Sequence, residues 1–261
     1  MSYRTLEIER KDGVATLWMN RPDVFNAFDE ILIDELTLAC REVNADDSVR
    51  VVVLAGRGKH FSAGADLNWM KRASVASEAE NFEDAKRFAN MLRSLSELDK
   101  PSIARVQGAA LGGGTGLTAA CDMAVATTDA SFATSEAKFG IIPSVISPYV
   151  LRAIGPRQSL RYFQSAERFG AQRAYEMGLV QEVVAADQLD AKVAELVAAL
   201  KTCGPKSQVA AKSLIRAVSN RPIGDEVITE TATRISAIRA TEEAKAGIAA
   251  FLEKRPAPWC A

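Results

Sequence analysis

Two short apolar runs, "VRVVVLAG" and "PSIARVQG", each lead through a glycine-containing loop into a helical pattern. A nearly continuous apolar stretch bounded by turn residues suits a strand buried on both faces. Strand, loop and helix in repeated order predict an α/β fold. Upstream, "TLEIERKDGVATLWMN" reads as two alternating strands around a Lys-Asp-Gly turn, a hairpin signal. "DEILIDELTLACREVN" places Leu32, Leu36, Ala39 and Val43 on one helical face. Ser77 and Glu80 form a capping-box pattern at the head of a long helical stretch. "DMAVATTDASFATSEAKFG" predicts a strand and then a mostly extended segment.

The pattern changes near Pro205. "PKSQVAAKSLIRAVSN", "GDEVITETATRISAIRA" and "TEEAKAGIAAFLEKRP" read as three successive helices with no strand between them. The expected division is a core over residues 1–204 and a helical region over 205–261. The second is too small and too polar to bury a good core alone, so its apolar faces should pack on the main body or on another subunit.

Charge and cysteine content narrow the chemistry. The 32 basic and 33 acidic residues are mixed along the chain, with no basic block to suggest nucleic acid. Cys40, Cys121, Cys203 and Cys260 are far apart and lack metal-ligand spacing. The N-terminus shows no apolar signal core, and no apolar run is long enough to span a membrane. A cytoplasmic protein with no metal is the expectation. His60 is the one histidine, which excludes multi-histidine metal sites and leaves a Ser-His-Asp triad a single possible base.

Two strand-to-helix loops carry the chemical interest. "AGAD", Ala63 to Asp66, taken alone reads first as an ordinary tight turn with Asp66 capping a helix, and only second as part of a site. "GGG", Gly112 to Gly114, occupies the corresponding place in the next unit. It matches neither a dinucleotide fingerprint nor a phosphate-binding loop with its Gly-Lys-Ser/Thr. Helix N-termini carry unpaired N–H groups and partial positive charge, and two such groups converging on one oxygen make an oxyanion hole. Glu136, in a small and apolar neighbourhood about twenty residues later, supplies a candidate acid–base group.

"NRPDVFNAF", "FSAGADL", "VQGAALGGGTGLTAACD" and "SEAKFGIIP", in this order, together with the C-terminal "AGIAAFLEKRP", closely resemble the enoyl-CoA hydratase/isomerase (crotonase) superfamily. The resemblance implies a crotonase-like spiral of ββα units with C-terminal helices used for trimer assembly, as a homotrimer or a dimer of trimers. It implies an acyl-CoA thioester as substrate, with coenzyme A part of that substrate and no further cofactor. It assigns the oxyanion-hole amides to Ala65 and Gly113 and the acid–base role to Glu136. Val24, Phe25, Ala63, Leu67 and Gly112 then line the path of the thioester, and Phe251 and Lys254 match positions that reach the adenine and phosphates.

Gly116 departs from the family pattern. Two-glutamate hydratases carry Glu there, and one-carboxylate isomerases do not. "IIPSVISPYVLRAIGPR" most resembles bacterial methylglutaconyl-CoA hydratases of leucine and isovalerate metabolism, and it brings Ser144, Ser147 and Tyr149 near the acyl end. The resemblance thus implies hydration of 3-methylglutaconyl-CoA. The alternatives are an enoyl-CoA isomerase or general enoyl-CoA hydratase, and a non-catalytic scaffold protein, against which the absence of basic clustering argues.

Overall fold

The structure is a computed structural model that describes residues 3–260. β1 (Leu6–Lys11) and β2 (Val14–Met19) form the expected hairpin. Asp12 and Gly13 both take positive φ, 50° and 76°, as a tight two-residue turn between right-twisted strands requires. α1 (Glu30–Ala45) follows, capped by the Asp29 carboxylate on the Leu32 amide, and it buries Leu32, Leu36, Ala39 and Val43 as their spacing predicts. β3 (Val51–Gly56) is buried at every position.

The next helices are α2 (Leu67–Ala73) and α3 (Glu78–Ser96), the latter with both halves of the Ser77–Glu80 capping box formed. β4 (Ser102–Val106) and β5 (Ala109–Leu111) lead into α4 (Gly113–Ala120). β6 (Met123–Thr127) and β7 (Ser131–Ala133) are followed by a short 3₁₀ turn at Glu136–Phe139. α5 (Ser147–Ser165) is interrupted by Gly155, at φ 75° and ψ 165°, and then by Pro156, so it is two helical pieces joined at a kink. β8 (Phe169–Gly170), α6 (Ala171–Glu176) and β9 (Glu182–Val184) complete the sheets.

Six strands form one sheet in the order β1-β2-β3-β4-β6-β9, antiparallel at the hairpin and parallel thereafter. β5, β7 and β8 form a second, smaller sheet. The chain therefore winds through repeated strand–strand–helix turns, each adding one strand to each sheet over much of its course. Phe28, Leu32, Leu36, Leu54, Met91, Leu92 and Leu95 fill the core between the large sheet and its helices.

The remaining helices are α7 (Leu189–Lys201), α8 (Pro205–Val218), α9 (Asp225–Arg239) and α10 (Glu242–Leu252), the last three where the sequence places them. The chain divides into two compact units, Met1–Leu98 with Ser102–Ala194, and Asp99–Pro101 with Glu195–Ala261. Within the second unit, Pro205 opens α8 without a capping side chain of its own. Glu243 supplies the cap from α10, accepting from the amides of Lys206 (3.0 Å) and Ser207 (2.9 Å). No helix among the described residues is long and apolar enough to cross a membrane.

Candidate active site

Residues 61–66 run extended between the 25–28 loop and β5. The Ser62 amide donates to the Ala109 carbonyl, and the Leu111 amide donates back to the Ser62 carbonyl. On the other side, the Phe28 amide donates to the Gly64 carbonyl (2.7 Å) and the Asp66 amide to the Phe28 carbonyl (2.8 Å). A trans peptide points its N–H opposite to its C=O. With the Gly64 carbonyl held by Phe28, the Ala65 N–H must face away from Phe28, into the adjoining cavity. It makes no hydrogen bond to another described residue.

Asp66 fixes this loop to the next helix. Its carboxylate accepts from the Asn68 amide at the start of α2 (2.8 Å), as the helix-cap reading of "AGAD" predicts. Burial by itself raises the Asp66 carboxyl, but the amides of Asn68 and Trp69 and the Arg21 guanidinium outweigh it and hold the group below the usual range. Arg21 contacts Asp66 and Asp29, both at 3.0 Å, and donates to the Ala27 carbonyl. One cation thus ties the "NRPDVFNAF" loop, α1 and the "AGAD" loop together.

The glycine run shows what each missing side chain makes room for. Gly112 has φ 50°, in the left-handed region, and a Cβ there would lie 3.2 Å from Glu136 Oε1. A Cβ on Gly113 would lie 2.6 Å from Phe28 Cε2, and one on Gly114 would lie 2.6 Å from the Ser62 carbonyl oxygen. At Gly116 the neighbour is Ile146, whose Cγ2 would be 2.3 Å away. The Gly112 carbonyl accepts from the Gly116 amide. The Gly113 N–H, on the opposite side of the same peptide plane, projects from the start of α4.

These amides border a cavity of about 530 Å³ whose walls include Phe28, Trp69, Met70, Phe88 and Ile146. Glu136 is the carboxylate that lines it. Its Oε2 is buried and has no hydrogen-bond partner among the described residues. Burial raises its carboxyl above the usual range, and its own backbone amide offsets this only in part. A carboxyl so placed, beside two outward amides, suits proton transfer next to a carbonyl whose oxygen gains charge.

Ala63, Ala65, Leu67, Gly112, Gly113, Glu136 and Ser144 all line this cavity. Val24, Phe25, Gly116, Ser147 and Tyr149 do not. Val24 and Phe25 are exposed on the adjoining loop, and the Phe25 ring stands edge-on to His60 with centroids 5.0 Å apart. Gly116 lies beneath Ile146, and the Ser147 hydroxyl donates to the Ser144 carbonyl (2.7 Å). Phe251 and Lys254 belong to the second unit, where Phe251 is 81% exposed. His60 holds the local backbone in place, with its Nδ1 accepting from the Ala109 amide (3.0 Å). Burial, then Lys59 and Arg168, push its imidazole below the usual value. Among the described residues no His/Cys/Asp/Glu group could hold a metal ion.

The walls of the cavity and the Arg21 clamp are what sequence reasoning missed. Phe28 and Ile146 lie within the quoted motifs, but an apolar residue inside a motif looks like any core residue. The bulk of Ile146 becomes meaningful only when paired with the absence of a side chain at Gly116.

A family profile described as enoyl-CoA hydratase/isomerase matches residues 9–261. The chain is similar to a crotonyl-CoA hydratase of Syntrophomonas wolfei, 32% identical over 262 residues, covering 98% of each chain. It is also similar to a 4-chlorobenzoyl coenzyme A dehalogenase of an Arthrobacter species, 31% identical over 220 residues, 84% of this chain and 80% of that protein. Among solved structures, an enoyl-CoA hydratase from Shewanella pealeana superimposes with a TM-score of 0.95 at 39% identity, covering 98% of this chain and 96% of that one.

Proposed function

The chain belongs to the enoyl-CoA hydratase/isomerase family, and on that premise we propose that it reversibly hydrates 3-methylglutaconyl-CoA to 3-hydroxy-3-methylglutaryl-CoA. One observation carries the mechanism: Glu136, whose Oε2 is buried and without a hydrogen-bond partner among the described residues, lines the same cavity as Ala65 and Gly113. The thioester oxygen binds between those two amides. As water adds at the β-carbon, charge passes through the enolate to that oxygen, where the amides stabilise it. Glu136 takes the proton that water releases and delivers a proton to the α-carbon, so one carboxylate serves both steps with its two oxygens. The thioester itself acidifies the α-position, and the reaction needs no redox cofactor.

Two cations support an acyl group that ends in a carboxylate. Lys138 and Arg168 line the same cavity, and neither is paired with a carboxylate among the described residues. In the second unit, α9 buries none of its residues and leaves Ile228 and Ile235 exposed, which supports assembly as a trimer or a dimer of trimers. A sedimentation measurement that returns a monomer refutes that assembly.

A second reading, enoyl-CoA isomerisation, is favoured by the lone carboxylate, because moving a double bond needs one proton carrier and no water. A panel of acyl-CoA thioesters assayed in ¹⁸O-labelled water separates the two. Label should enter product from 3-methylglutaconyl-CoA. Unlabelled conversion of 3-enoyl-CoAs to 2-enoyl-CoAs, with no label incorporated from any substrate, establishes the isomerase instead.

A further inference from the structure

We propose that Ile146 is a specificity-determining residue, one that fills the space over Gly116 and thereby leaves Glu136 as the site's sole proton carrier against a wall of methyl groups. The proposal deepens the hydratase reading and rests on it for the identity of the reaction.

The geometry is specific. Ile146 is 2% exposed and lies among the core residues, yet it also lines the cavity that holds Glu136. A Cβ built on Gly116 would be 2.3 Å from Ile146 Cγ2 and 2.8 Å from Ile146 Cβ. Real Cβ atoms do not approach so closely, and no rotamer of Ile146 moves its own Cβ. The two positions therefore exclude each other: one side chain occupies the gap, and here it is Ile146. No room remains for a water molecule between them. Two hydroxyls close by in the chain are also committed, since the Ser147 hydroxyl bonds to the Ser144 carbonyl and the Thr115 hydroxyl to the carbonyls of Ala110 and Ala133.

This has a consequence for the substrate. With hydrocarbon rather than a second carboxylate on that side, the acyl carbons meet a dry, shaped surface. An apolar substituent on the reacting carbon gains contact there, whereas an unsubstituted enoyl group leaves the surface unfilled. A single methylene in a hydrophobic pocket is worth roughly 10–200-fold in kcat/KM. The site therefore favours β-methyl-substituted enoyl-CoAs over crotonyl-CoA.

The test uses the full chain and four variants. Ile146→Ala is expected to remain folded and to lose at least about tenfold of the preference for 3-methyl-substituted over crotonyl-CoA. It should also move the acid limb of the kcat/KM profile to lower pH, because water now reaches Glu136. Gly116→Glu alone is expected to be insoluble or inactive. Gly116→Glu combined with Ile146→Gly should recover soluble protein and hydrate crotonyl-CoA at least about tenfold faster than Ile146→Gly alone, as a second acid–base group allows. The proposal is overturned if Gly116→Glu by itself is folded and fully active. It is equally overturned if Ile146→Ala changes neither selectivity nor pH profile, or if the double variant gains nothing over its parents. Should the unmodified protein hydrate no enoyl-CoA, the hydratase reading fails, while the solubility of Gly116→Glu with and without Ile146→Gly still decides the packing claim.

Discussion

Replacing Glu136 with Gln should make the protein more stable at neutral pH while removing most of its activity. The carboxyl is raised by burial, so the folded state holds its proton more tightly than the unfolded state does. For such a group the associated stability is complete below the unfolded pKa, roughly 4.3, and is lost as pH rises through the raised folded value. At neutral pH the ionised group therefore carries a penalty, which arises at the buried and unpartnered Oε2. Leaving a buried polar atom unsatisfied costs roughly 1–3 kcal/mol, more when it is charged. Gln retains an unsatisfied polar atom and the cavity is open on one side, so the gain from removing the charge is about 1 kcal/mol. For a chain of this size that raises Tm by roughly 2–4 °C. Turnover should meanwhile fall by about 10²–10⁴-fold with substrate binding largely kept. Scanning calorimetry at pH 7 and pH 4, with hydration followed by loss of the enoyl absorbance, reads both effects. The stability gain should vanish at pH 4. A variant that is less stable than the parent at pH 7, or that turns over normally, refutes the reasoning.

Arg21→Met should cost about 2–4 kcal/mol, because it leaves the buried Asp66 and half-buried Asp29 carboxylates without their cation; chemical denaturation measures this, and a loss below about 1 kcal/mol contradicts the clamp. Gly113→Ala should lower kcat and solubility together, since its Cβ would meet Phe28 at 2.6 Å and Phe88 at 2.9 Å; normal kinetics and solubility in this variant would show that the two rings yield without disturbing the site, contradicting the tight packing there. Lys138→Ala should raise KM at least about tenfold for a carboxylate-bearing acyl-CoA and leave crotonyl-CoA little changed, matching the loss of one charge-assisted contact; equal effects on both substrates would remove Lys138 from acyl recognition.

Local signals are legible in the sequence and long-range pairings are not. The Asp12–Gly13 turn, the Ser77–Glu80 box and the Asp66 cap each depend on residues a few positions apart, so their chemistry is visible in the string of letters. The buried face of α1 and the fully buried β3 follow from periodicity alone. Ala65, Gly113 and Glu136 come together through a family resemblance, because neither composition nor spacing says that three loops meet. Arg21 reads as a surface cation until Asp29 and Asp66 are seen beside it. The resemblance places Ser147 and Tyr149 near the acyl end, but the first turn of α5 directs the Ser147 hydroxyl to a backbone carbonyl, and neither residue lines the cavity. A helix start demands hydrogen bonds of its own, and that local demand prevails.

The strand order of the large sheet also bears on how the molecule is made. From β2 onward each strand pairs beside its predecessor in that sheet, β3 on β2, β4 on β3, β6 on β4 and β9 on β6. A chain leaving the ribosome N-terminus first can therefore lay down each strand against an edge that already exists, without waiting for a distant partner. The growing edge is exposed only until the next turn of the spiral emerges. Ala65 and Gly113 would be placed early in this sequence and Glu136 after them, so the amides proposed to receive the substrate are built before the group proposed to move its proton.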